Sequence, residues 1–390
     1  MDFDLSRSDL VFRDELRGWL AEHRPPDIDV ASDFREVETL REWQRTLAGG
    51  RWVGIHWPVE YGGRGASLVQ VAIYNEELAR ARAPQILGRA GVNLVGPTLM
   101  AYGTDEQKER WLAKILSAEH IWCQLFSEPG AGSDLAGLST RAERRGDTYY
   151  VTGQKVWSSY AKVADFGICL ARTDPDAPKH RGISMLSLPM DAPGVDVRPL
   201  RQITGESEFN EVFFDEVPVP ADHLIGVEND GWRVAGTTLA NERGTSFVWK
   251  EQVLHEVARD LLLQRALADG RFDEPLVRQK IAQSWIDVEI FRLHNARTLT
   301  RLEKGEQIGP ESSMVKLFWT QTTQRMAEHA GAIIGPDALR TAEDPLAVDG
   351  GRWARAMLWS RAASIAGGSS EIQHNIIAER ILGLPREPRG

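Results

Sequence analysis

From about Asp9 to His23 the apolar positions Leu10, Val11, Leu16, Trp19 and Leu20 recur at helical spacing, and Pro25-Pro26 ends the run. A second helix is predicted over Phe34–Ala48, stopped by Gly49-Gly50. After an aromatic-rich loop from Trp52 to Gly65, Ser67 caps a helix to about Arg82, and Pro84 breaks it. An apolar segment reaches Tyr102, and Thr104-Asp-Glu-Gln107 reads as a capping box. It opens a helix through Ala118 with Trp111, Leu112, Ile115 and Leu116 on one stripe.

The pattern changes at Ile121. Short β-rich runs follow at Thr148, Phe166, Gly182, Gly194 and Glu211, separated by Gly, Pro and Asp. They predict a small antiparallel barrel or sandwich ending near Gly226. Helical periodicity then covers roughly 231–269, 275–304, 310–334 and 368–382, with breaks at Gly270, Gly305 and Gly335-Pro336. The expected order is a helical domain over 1–120, a β-domain over 121–226 and a helical bundle over 227–390. The fold class is mainly α with a central β-domain.

Composition narrows the function classes. The net charge of -10 argues against nucleic-acid binding, which needs a basic footprint. Two cysteines, Cys123 and Cys169, in apolar strand-like contexts imply no disulfide framework. Nine histidines show no metal-ligand spacing, so no metal is expected. The start of the chain lacks signal-peptide features, and no apolar run has the length of a membrane helix, so the expectation is a cytoplasmic protein.

The chemistry concentrates in Gln124-Leu-Phe-Ser-Glu-Pro-Gly-Ala-Gly-Ser-Asp-Leu-Ala-Gly137, followed by Gly153-Gln-Lys-Val-Trp-Ser-Ser159. Glycines let a backbone approach a ligand closely, and successive N–H groups can cradle an anion. An ordinary Gly-rich turn is the alternative. The whole run, with Trp-Ser-Ser some twenty residues on, resembles the flavin-binding signature of the acyl-CoA dehydrogenase family. The helical, β, helical order over essentially the whole chain is similar to that family's fold.

That resemblance implies an FAD-dependent enzyme, with the cofactor lying extended between the β-domain and the C-terminal four-helix bundle. Gln124, Leu125 and Ser127 would face the flavin ring, and Gly132 and Ser133 the ribityl-phosphate end. Trp157 would cover the flavin and Ser159 reach its N5. Ser369 and Glu371 fall in the Ser-Ser-Glu-Ile-Gln run beside the cofactor. The family's commonest base is the Glu of a Tyr-Glu-Gly-Thr run, and this chain reads Ala366-Gly367-Gly368-Ser369 there. Gly367 would keep the backbone N–H that holds the thioester oxygen. A minority of the family carries the base on the first helix of the C-terminal domain, where this chain has Asn241-Glu242-Arg243.

The residues point to Glu242 independently. Trp232, Ala235 and Leu239 form one helical stripe, and Glu242 continues it. A carboxylate on an apolar stripe is unusual, and burial would raise its pKa towards useful base strength. A solvated Glu, or one paired with a bundle arginine, is the alternative. Arg243 would tune the base. Two motifs depart from the family. Its Arg-x-x-Phe-Gly run survives only as Gly270-Arg271-Phe272, and its Gln-x-x-Gly-Gly-x-Gly segment is His329-Ala-Gly-Ala-Ile-Ile-Gly335.

Such departures resemble those in actinobacterial acyl-CoA dehydrogenases, some of which pair two different subunits and act on steroid side chains. The implied activity is desaturation of an acyl-CoA thioester to the trans-2-enoyl-CoA, with electron-transfer flavoprotein as acceptor, in a homodimer, homotetramer or heterotetramer. Gly91, Gly96 and Gly244 would leave room for a branched or bulky acyl group. A flavin oxidase or monooxygenase on the same fold, and a partner subunit of a heteromeric dehydrogenase, are the competing readings.

Overall fold

The computed structural model describes residues 5–28, 36–242, 246–306 and 309–386. They gather into two compact units. One comprises the described residues of 1–22, 67–83 and 245–390, and the other those of 23–66 and 84–244.

The first unit is helical: α1 (Arg7–Glu22), α3 (Leu68–Arg80), α7 (Ser246–Ala268), α8 (Pro275–Glu303), α9 (Ser312–Ile334), α10 (Arg352–Ala363) and α11 (Ser370–Ile376), the last running into a π-helical turn at Ile377–Ile381. Ser67 caps α3 as expected, in a full capping box with Gln70. The bundle core is a stripe from each long helix, with Leu262, Val288, Met326, Ile333 and Trp353 among its members. α10 escapes the sequence reading because small residues and arginines separate its buried positions.

The second unit holds α2 (Val37–Gly49), a π-helical turn at Gly91–Val95, α4 (Gly96–Tyr102), α5 (Asp105–Leu116), the sheet and α6 (Gly231–Glu242). The expected capping box of α5 is present, Thr104 with Gln107. The strands are β1 (Trp122–Leu125), β2 (Arg141–Arg145), β3 (Thr148–Lys155), β4 (Phe166–Arg172), β5 (Ile183–Pro189), β6 (Val195–Pro199), β7 (Asn210–Pro220) and β8 (Leu224–Ile225). They form one sheet in the order β6-β7-β3-β2-β4-β5-β8. Most pairs are antiparallel, but β1 runs parallel to β4, as does the Arg141 end of β2. Leu125, Tyr149, Val151, Leu186 and Val219 lie in its core.

Two expectations change. Gly96 does not open space for a ligand: a Cβ there would lie 2.0 Å from Trp57, whose indole N–H donates to the Val92 carbonyl at 3.0 Å. Gly91 likewise makes room for Ile115. Gly244 lies outside the described residues. On α6 the buried row is Gly231, Val234, Ala235 and Thr238, with Trp232 and Leu239 only half-buried, because Trp232 packs edge-on against His180 at 5.0 Å.

Candidate active site

The flavin-like loop leaves the sheet at the end of β1 and is fixed by a buried ion pair that the sequence reading overlooked. Lys155, at the end of β3, donates 2.9 Å hydrogen bonds to the Phe126 carbonyl and to Glu128 Oε1. The two side chains are 0% and 4% exposed. Glu128 also accepts from the Ser139 N–H and hydroxyl, both at 2.7 Å, and from the Thr140 N–H at 2.9 Å. Burial alone would push this carboxyl up, but the Lys155 ammonium and the Thr140 and Ser139 donors outweigh it and hold it at about 2. Glu128 and Ala131 exchange backbone hydrogen bonds, closing the turn. Both residues stand in the two motifs, an acid in the loop and a lysine closing β3.

On this anchor the candidate cofactor residues take distinct positions. The Gln124 side chain is half-buried, while that of Leu125 points into the sheet core and leaves only its backbone for a ligand. Ser127 is half-buried and accepts through its carbonyl from the Val156 N–H at 2.9 Å. This bond joins the loop to the Trp157 segment. Gly132 and Ser133 are exposed. At the loop's far end Asp134 pairs with Lys179, and the Arg172 guanidinium donates to the Ala136 and Leu138 carbonyls.

Trp157 is the most unusual residue of the unit. Its indole is 60% exposed and meets Phe209 edge-on at 5.8 Å. Its φ is +60°, a left-handed conformation that costs a bulky residue about 1–2 kcal/mol. The next residue over-determines it: the Ser158 N–H donates to the Asn210 carbonyl, and the Asn210 N–H and side-chain amide donate back to the Ser158 carbonyl. The Ser158 hydroxyl is buried with no partner among the described residues. Ser159 is half-buried beside it. A strained backbone that presents a large aromatic face to solvent suits a flat heteroaromatic ring, and the neighbouring loop offers the polar groups such a ring needs. These residues fit a flavin.

Glu242 is the last residue of α6, and its side chain lies outside the described residues, as does Arg243. By backbone position Glu242 lies one turn beyond the buried Thr238.

In the first unit, the loop before α11 is built on two left-handed glycines, Gly367 at φ +64° and Gly368 at +91°. The carbonyls of this loop are tied down from one side. Lys316 of α9 donates to the Ala363 and Gly368 carbonyls at 2.9 and 2.7 Å. The Gln373 amide donates to the Gly367 and Gly368 carbonyls at 3.2 Å. Burial draws the Lys316 pKa down, with Glu371 opposing. The exposed Gly367 N–H finds no partner among the described residues, which leaves it able to donate to a ligand oxygen. Ser369 caps α11 through the Ile372 N–H at 3.3 Å. Glu371 is exposed, its carboxyl held below the usual range by its own N–H and by the Ser369 hydroxyl.

The two departing motifs are absorbed by the fold of this unit. Arg271 donates twice to Glu274, at 2.8 and 3.0 Å, and caps α9 at the Ile333 carbonyl, 2.5 Å away. His329 is buried within α9, 2.8 Å from the Ser284 hydroxyl.

Among the described residues no group of His, Cys, Asp and Glu is placed to hold a metal, and no helix is long and apolar enough to cross a membrane. Both cysteines are buried and unpaired.

Comparison with known proteins matches three family models: the N-terminal domain of acyl-CoA dehydrogenase over residues 6–119, its middle domain over 123–217 and its C-terminal domain over 229–382. The acyl-CoA dehydrogenase IpdE1 of Mycobacterium tuberculosis (strain ATCC 25618 / H37Rv) is 40% identical over 388 residues, 97% of this chain and 98% of that protein. Among solved structures, the Tcur3481-Tcur3483 steroid ACAD superposes with a TM-score of 0.88 at 32% identity, covering 99% of this chain and 100% of that one. The ChsE4-ChsE5 complex from Mycobacterium tuberculosis gives 0.87 at 30% identity, with coverage of 99% and 100%. The chain belongs to the acyl-CoA dehydrogenase family, and it is an oxidoreductase.

Proposed function

We propose that this protein is an FAD-dependent dehydrogenase that converts a bulky acyl-CoA, with a steroid side chain as the favoured class, into its trans-2-enoyl-CoA. The observation that supports this most is the exposed, left-handed Trp157 beside a loop pinned by a buried ion pair. The bulky-substrate part rests on similarity to the Tcur3481-Tcur3483 steroid ACAD, since the glycines expected to enlarge the pocket, Gly96 and Gly91, pack against Trp57 and Ile115.

Bound FAD would supply the acceptor for the β-hydrogen, which leaves with its electron pair. Glu242 takes the α-proton, Arg243 tunes its basicity, and the Gly367 N–H holds the thioester oxygen as negative charge develops there. Gln124, Ser127 and the Leu125 backbone would hold the ring, Trp157 would cover it, Ser159 would donate to it, and Gly132 and Ser133 would serve the ribityl-phosphate end. Ser369 and Glu371 would also serve cofactor binding. Division of the chain at about 120 and 226, electron-transfer flavoprotein as acceptor and a cytoplasmic location belong to the same proposal. So does assembly as a heterotetramer with a related subunit, for which the ChsE4-ChsE5 complex is the supporting precedent.

The test is anaerobic bleaching of the purified flavoprotein by octanoyl-CoA, isovaleryl-CoA and a steroid-17-yl propanoyl-CoA. The steroid thioester should reduce the flavin fastest, with slow reoxidation in air; rapid peroxide formation would place the protein among oxidases instead. Glu242→Gln should keep flavin and thioester binding and slow bleaching by at least 1,000-fold, on the order of 4 kcal/mol of barrier. A flavin-free chain that gains activity only with a partner would favour the partner-subunit reading.

A further inference from the structure

α6 is held at two places within its own unit. At its start Gly231 lies so close to β5 that a Cβ would sit 2.5 Å from the Ser184 carbonyl carbon. In its middle, two hydroxyl pairs tie it to α4: Thr98 Oγ1 and Thr238 Oγ1 at 2.8 Å, and Tyr102 Oη and Thr237 Oγ1 at 2.8 Å. Thr98 and Thr238 are fully buried.

The proton count orients the buried pair. Thr98 Oγ1 lies 2.7 Å from the Leu94 carbonyl, and Thr238 Oγ1 lies 3.1 Å from the Val234 carbonyl. Two hydroxyls carry two protons, so three contacts cannot all have a donor. The shorter carbonyl contact assigns the Thr98 proton to Leu94, inside the π-helical turn, and the Thr238 proton to Thr98 Oγ1. Two valines would fill the same volume with no polar group to desolvate. What the hydroxyls add is direction: one donor, one acceptor, one relative rotation of α4 and α6. Thr238 stands one turn before Glu242 on the same helical row.

We infer that Thr98 and Thr238 are positioning residues that set the rotation and rise of the last turn of α6, and with it the backbone position of residue 242. This inference rests on the proposed role of Glu242. It is tested with Thr98→Val, Thr238→Val, the double valine variant and Thr238→Ser, in the holoprotein. The measurements are the thermal midpoint and the pH profile of flavin bleaching by whichever of the three thioesters reduces the wild type fastest.

Each single valine should lower the midpoint and slow bleaching at least tenfold, with the acidic limb of the pH profile, set by the base at 242, displaced. The double variant, with both polar groups gone, should recover the midpoint but not the rate or the profile, and Thr238→Ser should retain all three. A double variant that bleaches within twofold of wild type with an unchanged profile overturns the inference. Rapid bleaching by Glu242→Gln overturns the base assignment, and the inference with it. Slow bleaching by Glu242→Gln alongside a fast double valine variant overturns the inference alone.

Discussion

Replacing Lys155 by Met should unpin the flavin loop, and the structure sets the size of the effect. Holding Glu128 at about 2 rather than at its ordinary 4.5 corresponds to roughly 3 kcal/mol in favour of the charged form. Removing the ammonium strands that carboxylate in a site 4% exposed, a change that costs about 3–5 kcal/mol in comparable buried pairs. It also takes the side-chain donor from the Phe126 carbonyl. At neutral pH the melting midpoint should fall by on the order of 10 °C.

The pH dependence carries the sign of the argument. A carboxyl whose folded pKa is depressed contributes stability that is complete above its unfolded value and is lost as pH falls towards the folded one. Wild-type stability should therefore drop between about pH 4.5 and 2. In Lys155→Met the carboxyl loses the cation that opposes its burial, so it takes up a proton at higher pH. The penalty should be largest at neutral pH and shrink below about pH 5. Glu128→Gln combined with Lys155→Met should be more stable than Lys155→Met alone. The assay is thermal unfolding followed by circular dichroism from pH 3 to 8. A loss of less than about 1 kcal/mol, or a gap from wild type that does not change with pH, would refute the reasoning.

Four further outcomes follow from packing, hydrogen bonding and backbone conformation. Gly96→Ala should destabilise by about 3 kcal/mol or more, because its Cβ would lie 2.0 Å from Trp57. Gly236→Ala, on a helical position with no atom within 4 Å of its Cβ, should be neutral or stabilise by up to about 1 kcal/mol; thermal midpoints compare the two. Lys316→Met should speed amide hydrogen exchange over residues 364–373 and cost roughly 1 kcal/mol, since it takes one donor from the Ala363 and Gly368 carbonyls and leaves them to Thr320 and Gln373. Trp157→Gly relieves a left-handed backbone at an exposed position, so stability should change by less than about 1 kcal/mol while flavin affinity, read by fluorescence titration, falls at least tenfold.

The long helices and hydrophobic strands were legible because burial imposes a period, as in the stripe of α5 and the runs of β4 and β5. Among those that were not, three show why. β1 is four residues long, too short to separate from the apolar sequence around it. β2 reads Arg-Ala-Glu-Arg-Arg, and Ala142 is its one buried position, so charged side chains hide a strand that lies between β3 and β4. α10 buries Trp353, two alanines and a serine among arginines, too sparse an apolar row to show a helical period. At the site, the quoted motifs marked the loop but not its anchor, because the pairing of Lys155 with Glu128 depends on strand geometry rather than spacing. The glycines at 91 and 96 misled for a related reason: absence of a side chain shows that something comes close, not what.

The loop from Ser364 to Ser370 is secured by Lys316 and Gln373 at its carbonyls, by the hydroxyl of Ser369 at the start of α11, and by the Ser370 N–H on the Ser364 carbonyl. No side chain at 367 takes part, and a Cβ built there meets nothing within 4 Å. An acid returned to that position would bear only the left-handed backbone at φ +64°, about 1–2 kcal/mol. The seat of the acid is therefore a replaceable fitting. The loop keeps its shape with no carboxylate at 367, so gaining or losing one there leaves its supports untouched.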